Sequence, residues 1–181
     1  MVNILLADGF EESEALVPAD LLRRAGVEVA LVGVDGGQVA GAHGITVAAD
    51  KTLKELDREQ VELLMLPGGL GGVEAIRKSA AAMELIQYCV SQGRWVAAIC
   101  AAPTVLAQLG ITDGKQAVCY PGMEDQMGAA QVQKGSPVVA DGRVITGEAA
   151  GAAFDFGLKL VEALRGAECA RQVKNAVYYR H

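Results

Sequence analysis

The sequence predicts an α/β fold: a doubly wound, mostly parallel sheet with helices on both faces. Three observations predict it. Short apolar runs, most of them rich in valine and isoleucine, alternate along the chain with helix-like stretches. Several of those runs lack period-2 alternation, as strands buried on both faces should. Glycines follow the helix-like stretches at the positions where helices end.

In order, the expected strands are Val2–Ala7, Val27–Val34, Val61–Leu66, Trp95–Ile99, Ala117–Cys119 and Val144–Thr146. The expected helices are Ser13–Ala25, Ser79–Gln92, Pro103–Leu109 and Ala150–Leu164, closed by Gly26, Gly93, Gly110 and Gly166. Ser13 and Ser79 are placed as N-caps. In the first helix Leu16, Val17, Leu21 and Leu22 follow helical spacing, and Pro18 is expected near the first turn. Gly36-Gly37, Gly41 and Gly44 break the pattern between the second and third strands, where a weak hairpin is expected over Gln38–Val47.

No linker, repeat or shift in composition divides the 181 residues, so one domain over 1–181 is expected. With 51% apolar residues the chain can bury a full core without disulfide or metal staples. The formal net charge is −6, and no basic run or basic-aromatic stripe occurs, which argues against nucleic-acid binding. The N-terminus meets acidic residues at once and no apolar run approaches the roughly 18 residues of a membrane span. A soluble, cytoplasmic protein is therefore expected. Cys89, Cys100, Cys119 and Cys169 are separated by 11, 19 and 50 positions, and His43 and His181 are the only histidines. No pair has structural-zinc spacing, so no metal is expected and the thiols are read as reduced.

In a doubly wound sheet, sites form beyond the carboxyl ends of the strands. Attention therefore falls just after Ala7, Leu66, Ile99 and Cys119. Ala97-Ala98-Ile99-Cys100-Ala101-Ala102-Pro103 runs a strand straight into a helix. Small neighbours permit the tight reversal, the cysteine projects into a cleft, and a helix N-terminus favours its thiolate. The same pattern also suits a buried small apolar residue. Leu66-Pro67-Gly68-Gly69-Leu70-Gly71-Gly72 lets backbone N–H groups approach an oxyanion, or simply forms a turn. It matches neither the Walker nor the Gly-x-Gly-x-x-Gly pattern, so no nucleotide cofactor is expected. Asp8-Gly9-Phe10-Glu11-Glu12-Ser13-Glu14 gathers carboxylates at a helix start. Glu11 and Glu12 suit the helix dipole, while Glu14 can face solvent or cleft. A carboxylate beside a thiolate has its pKa raised and can shuttle a proton.

Gly9-Phe10-Glu11-Glu12-Ser13-Glu14, Leu66-Pro67-Gly68-Gly69 and Ala98-Ile99-Cys100-Ala101-Ala102-Pro103, together with the segment Phe154–Leu164, resemble the DJ-1/ThiJ/PfpI superfamily, nearest its bacterial DJ-1-like branch. The resemblance runs in order along nearly the whole chain. It implies a flavodoxin-like fold, a homodimer, and a nucleophile elbow carrying Cys100. By it, Glu14 is the protonated carboxylate hydrogen-bonded to Cys100, and Gly68, Gly69, Ala101 and Tyr120 fall at oxyanion or substrate-binding positions. His43 aligns where some relatives carry an arginine that reaches a partner subunit. Tyr120-Pro121 replaces the histidine that several members place near the cysteine, which weakens a protease reading, and Glu148 stands where some carry an arginine.

The resemblance implies cysteine-dependent, cofactor-independent processing of reactive 2-oxoaldehydes such as methylglyoxal, free or as early glycation adducts on proteins or nucleotides. The competing expectation is an oxidative-stress redox sensor or chaperone acting through oxidation of the same cysteine, with Cys119 as a resolving thiol as the sign of redox cycling.

Overall fold

The chain begins on β1 (Val2–Leu6), runs through α1 (Glu12–Arg24) to β2 (Val29–Gly33), and then forms a small antiparallel hairpin, β3 (Gln38–Ala40) and β4 (Thr46–Ala48). The short β5 (Lys51–Thr52) precedes β6 (Leu63–Leu66), α2 (Leu70–Lys78), α3 (Ala80–Ser91), β7 (Trp95–Ile99) and α4 (Pro103–Gln108). There follow β8 (Gln116–Ala117), β9 (Gln131–Val132), the hairpin β10 (Val138–Asp141) and β11 (Val144–Gly147), α5 (Ala153–Arg165) and α6 (Ala167–Ala176). This computed structural model describes residues 1–180; His181 lies outside them.

Seven strands form the main sheet in the order β10-β11-β7-β6-β1-β2-β5. All its pairings are parallel except β10 with β11. The fold is the flavodoxin-like α/β class. From β1 the chain moves outward to β2 on one side and returns to place β6 on the other. The loops after β1 and β6 therefore part, and the crevice between them is where a doubly wound sheet holds a ligand.

The strands are apolar on both faces because both are covered. Ile4, Leu6, Leu63, Met65, Ala97 and Ile99 join one core layer with Leu22, Phe156, Leu160 and Val161 of α1 and α5. Leu5, Leu64, Leu66, Val96 and Ala98 point to the other layer, against Val73, Ile76, Ile86 and Leu106 of α2, α3 and α4. Alternation by two puts successive side chains into different cores rather than into core and water. The first layer is tight where α1 crosses α5: a Cβ on Gly157 would lie 2.7 Å from Leu21 Cδ1 and 3.0 Å from Pro18 Cα.

Several expected elements shift. Glu11, not Ser13, is the N-cap of α1, and Ser13 Oγ instead donates to Glu11 Oε1 at 3.3 Å. Pro18 is the seventh residue of α1, in its second turn, so the Glu14 carbonyl lacks its usual i+4 donor. Ser79 caps α3 as expected, accepting from Ala82 N–H at 3.3 Å. Leu70–Lys78 is helical although Gly71 and Gly72 each weaken a helix by about 1 kcal/mol relative to alanine. Close approach of the β1 loop overrides that: a Cβ on Gly72 would lie 2.9 Å from Phe10 N and Cα. Ala117–Cys119 does not add a strand beside β7. That position belongs to β11, while β8 pairs only with β9 in a separate two-stranded ladder.

Candidate active site at the strand ends

Cys100 follows the last residue of β7 and adopts φ 65°, one of two non-glycine residues with positive φ among those described. Such a conformation costs about 1–3 kcal/mol and persists only where the surroundings over-determine it. Here the Cys100 N–H donates to Gly147 O at 3.0 Å, and its carbonyl accepts from Tyr120 N–H at 2.8 Å. Ala101 and Ala102 are buried, and Pro103 opens α4. The expected elbow is present, and the segment beyond β8 helps to pin it. Behind it, Arg77 Nη2 donates to Thr104 Oγ1 at 2.5 Å, and that hydroxyl donates to Ala101 O at 2.6 Å.

Glu14 lies in the first turn of α1 with 0% exposure, so it faces inward rather than to solvent. Its Oε2 accepts from Gly68 N–H at 2.8 Å, while Oε1 has no fully formed hydrogen bond and is the oxygen free to hold a mobile proton. Burial, opposed by hydrogen bonds from Cys100 and Gly68 and reinforced by the charge of Glu11, pushes Glu14 up to about 7. Burial also pushes the Cys100 thiol up, then the Glu14 charge and hydrogen bond, to about 12. Backbone N–H groups of Ala101 and Gly69 pull the other way. The expected helix-terminus effect is thus present but outweighed, α4 being six residues long. At neutral pH the sulfur rests as a thiol beside the buried carboxyl group.

Gly68 is placed differently from the expectation. Its N–H is spent on Glu14, and a Cβ there would lie 2.5 Å from Glu14 Oε2 and 2.7 Å from Cys100 Cβ. Gly68 is the spacer that lets acid and thiol meet. Gly69, at φ 84°, aims its N–H toward the sulfur together with Ala101.

Cys100 opens into a cavity of about 430 Å³. The loop after β1 contributes Gly9 and Glu11, the β3–β4 turn Ala42, and the β6–α2 junction Gly69, Leu70 and Gly71. Ala101 lies beside the thiol, and Tyr120 and Met123 close the far side. All four positions expected from the sequence therefore meet here, the fourth at Tyr120 beyond β8 rather than at the end of a main-sheet strand. Leu70, Ala42 and Met123 escaped the sequence reading. Leu70 directly follows the glycine pair and could have been found; the other two arrive by tertiary folding alone.

His43 stands at the rim on the β3–β4 turn, its side chain 67% exposed. Its Nδ1 lies 3.0 Å from Glu12 Oε2 and 3.4 Å from Glu11 Oε2 of its own chain. Glu12 also accepts from the N–H groups of His43 at 2.8 Å and Ile45 at 3.3 Å. Burial alone would raise Glu12, but its own N–H, the imidazole and these two donors hold it at about 2. The hydrogen bond to Glu12, then the charges of Glu11 and Glu12, raise His43. Among the described residues this is the one His/Cys/Asp/Glu cluster whose donor atoms all lie within 4.8 Å, and those atoms already engage each other. Cys119 and Glu148 line a different cavity, with Glu124 and Lys134.

The model of the DJ-1/PfpI family matches residues 1–163. The chain belongs to the DJ-1/PfpI family. It is 38% identical over 172 residues to Protein dj-1beta of Drosophila melanogaster, covering 94% of this chain and 92% of that one. The crystal structure of Drosophila DJ-1beta superposes with a TM-score of 0.95 at 36% identity, covering 99% and 98% of the two chains. A Pyrococcus abyssi protein named as a deglycase is 33% identical over 165 residues, 91% of this chain and 99% of its own length. No helix of the described residues is long and apolar enough to cross a membrane.

Proposed function

We propose that this DJ-1/PfpI protein converts reactive 2-oxoaldehydes, free or as early adducts on proteins or nucleotides, into hydroxy acids. One observation carries the reading: a thiol on a strained elbow and a buried carboxyl group, pushed up to about 7, meet across Gly68 where the thiol opens into a cavity. A carboxylate of that basicity can take and return protons at neutral pH. The deglycase name of the Pyrococcus relative supports the same chemistry.

In the reaction, Glu14 accepts the thiol proton as Sγ bonds to the aldehyde carbon. The carbonyl oxygen gains negative charge under the Ala101 and Gly69 N–H groups and takes the proton back from Glu14, giving a hemithioacetal and restoring the carboxylate. Glu14 next removes the proton on that carbon, the electron pair moves to the neighbouring ketone, and the ketone oxygen takes the hemithioacetal hydroxyl proton, giving an enediolate. Return of the proton to the second carbon leaves a thioester. Water cleaves it, releasing the 2-hydroxy acid and restoring the thiol. The net change is addition of one water with an internal shift of hydrogen, so these residues need no redox partner. We place the working form in the cytoplasm as a homodimer, with His43 at the rim where a second subunit would meet the site.

Lactate formation from methylglyoxal tests the reading, with Cys100→Ser and Glu14→Gln beside the wild type. Turnover that falls at least about 100-fold in both variants supports it. A wild type that makes no lactate between pH 6 and 9, while peroxide readily oxidises Cys100, replaces it with the redox-sensor function.

A further inference from the structure

The cavity above Cys100 is far larger than the smallest substrate of the proposed reaction requires. At about 430 Å³ it equals roughly fourteen water volumes of 30 Å³, within the range of pockets that hold drug-sized ligands. A ketoaldehyde of five heavy atoms leaves most of it unfilled.

Its walls have a definite chemistry. Leu70, the first residue of α2, is 74% exposed, and Tyr120, after β8, is 48% exposed. With Met123 and Ala42 they give the cavity that holds the thiol an apolar lining. Apolar side chains left open on a wall that also holds a reactive group mark where a ligand's apolar part is covered. Among the described residues no lysine or arginine lines the cavity, and Glu11 is the one charged side chain on its wall. Glu12 and His43 stand just behind Glu11, and Glu14 behind the sulfur. One imidazole stands against two rim carboxylates at this edge.

We propose that the site selects uncharged 2-oxoaldehydes bearing an apolar group of ring size, with Leu70 and Tyr120 determining specificity and Glu11 turning anions away. This assignment rests on the 2-oxoaldehyde reading of the site. A ring lying between Leu70 and Tyr120 leaves the aldehyde carbon over Sγ. An anionic substituent at the same place meets a carboxylate and no compensating cation.

Two assays separate this assignment from the reaction on which it rests. In the first, kcat/KM is measured for phenylglyoxal, 4-carboxyphenylglyoxal and methylglyoxal. Phenylglyoxal is expected to exceed each of the others at least about tenfold. Leu70→Ser and Tyr120→Ser reduce its advantage over methylglyoxal. Leu70→Lys, at an exposed position where folding is undisturbed, and Glu11→Gln both reduce its advantage over the carboxylate. In the second, Cys100 alkylation by iodoacetamide and iodoacetate is compared with that of a free thiol. The protein is expected to disfavour the anion by a further factor of about ten, relieved by Leu70→Lys. Turnover with equal kcat/KM for all three aldehydes overturns the specificity while leaving the reaction standing. Absent turnover with intact alkylation selectivity removes the reaction but keeps the cavity's preference for neutral electrophiles. Alkylation without charge selectivity overturns the role of Glu11.

Discussion

Replacing Glu14 by glutamine tests the energetic core of the site without reference to any substrate. The carboxyl group moves from an ordinary value of 4.5 to about 7 in the folded chain, mainly through burial. That is a shift of about 2.5 units, and at 1.36 kcal/mol per unit it corresponds to about 3 kcal/mol. The folded state holds the proton more tightly than the unfolded state. The stabilising difference is therefore fully present below pH 4.5 and is lost as pH rises through 7. Glutamine keeps an oxygen to accept the Gly68 N–H and cannot ionise. The assay is urea unfolding of wild type and Glu14→Gln at pH 5 and pH 8. Between those values the wild type should lose about 2.5 kcal/mol more than the variant, since at pH 5 the unfolded chain is already largely ionised, and at pH 8 the variant should be the more stable. Parallel stability curves would falsify the claim that Glu14 is a desolvated carboxyl group.

The same group sets the expected pH profile of activity: kcat/KM with a 2-oxoaldehyde should rise through about pH 7 as Glu14 becomes a base, and a flat profile from pH 6 to 9 removes it from that role. Gly68→Ala forces a methyl group against Glu14 Oε2 and Cys100 Cβ, so turnover should fall at least about 100-fold with a stability loss of about 1–3 kcal/mol. Near-normal kinetics in that variant would show that the thiol and acid need no such spacing. Thr104→Val removes the hydroxyl joining Arg77 to the Ala101 carbonyl, with an expected cost of about 1–3 kcal/mol. It should also shift the pH profile of Cys100 alkylation, with rescue by Thr104→Ser; an unchanged profile leaves the pair a purely structural tie.

The parts of the fold that were legible are those where local pattern and tertiary burial agree. β1, β6 and β7 read correctly because residues such as Leu5, Leu64 and Val96, which alternation sends away from one core, enter another. Where context overrides pattern, the reading slipped. Gly71 and Gly72 hide α2, because their reason for being glycine is the β1 loop pressed against them. Val118 and Cys119 are apolar and buried, yet Val118 N–H donates to Thr146 Oγ1 at 2.9 Å instead of joining the main sheet's ladder. Polar α6 carries only Ala170 and Val173 inward, too little apolar periodicity to announce itself. The site divides in the same way. Local pattern left Cys100, on a strand meeting Pro103 across small residues, and Glu14, in a helix start, each with a second reading, and it was the resemblance to the DJ-1/ThiJ/PfpI superfamily that chose between them. That Gly68 serves Glu14 rather than an oxyanion depends on a contact 54 positions apart, which no local pattern encodes.

The raised thiol also bears on the choice between an enzyme and a redox sensor. Peroxide attacks thiolate, so sensor cysteines hold their pKa low. Cys100 does the opposite: burial, then the adjacent carboxylate, push it up to about 12. That direction suits a reaction in which a carbonyl, its oxygen receiving the Ala101 and Gly69 N–H groups, draws the sulfur into attack as Glu14 takes the proton. The two functions therefore respond to Glu14→Gln with opposite sign. Loss of the base lowers 2-oxoaldehyde turnover. Loss of its negative charge makes thiolate easier to form, so peroxide oxidation and iodoacetamide alkylation of Cys100 at pH 7.5 should accelerate. Stopped-flow oxidation and steady-state kinetics on the same preparation read both. If oxidation slows along with turnover, the carboxyl group activates the sulfur for every electrophile, and the division of labour between Glu14 and Cys100 argued here is wrong.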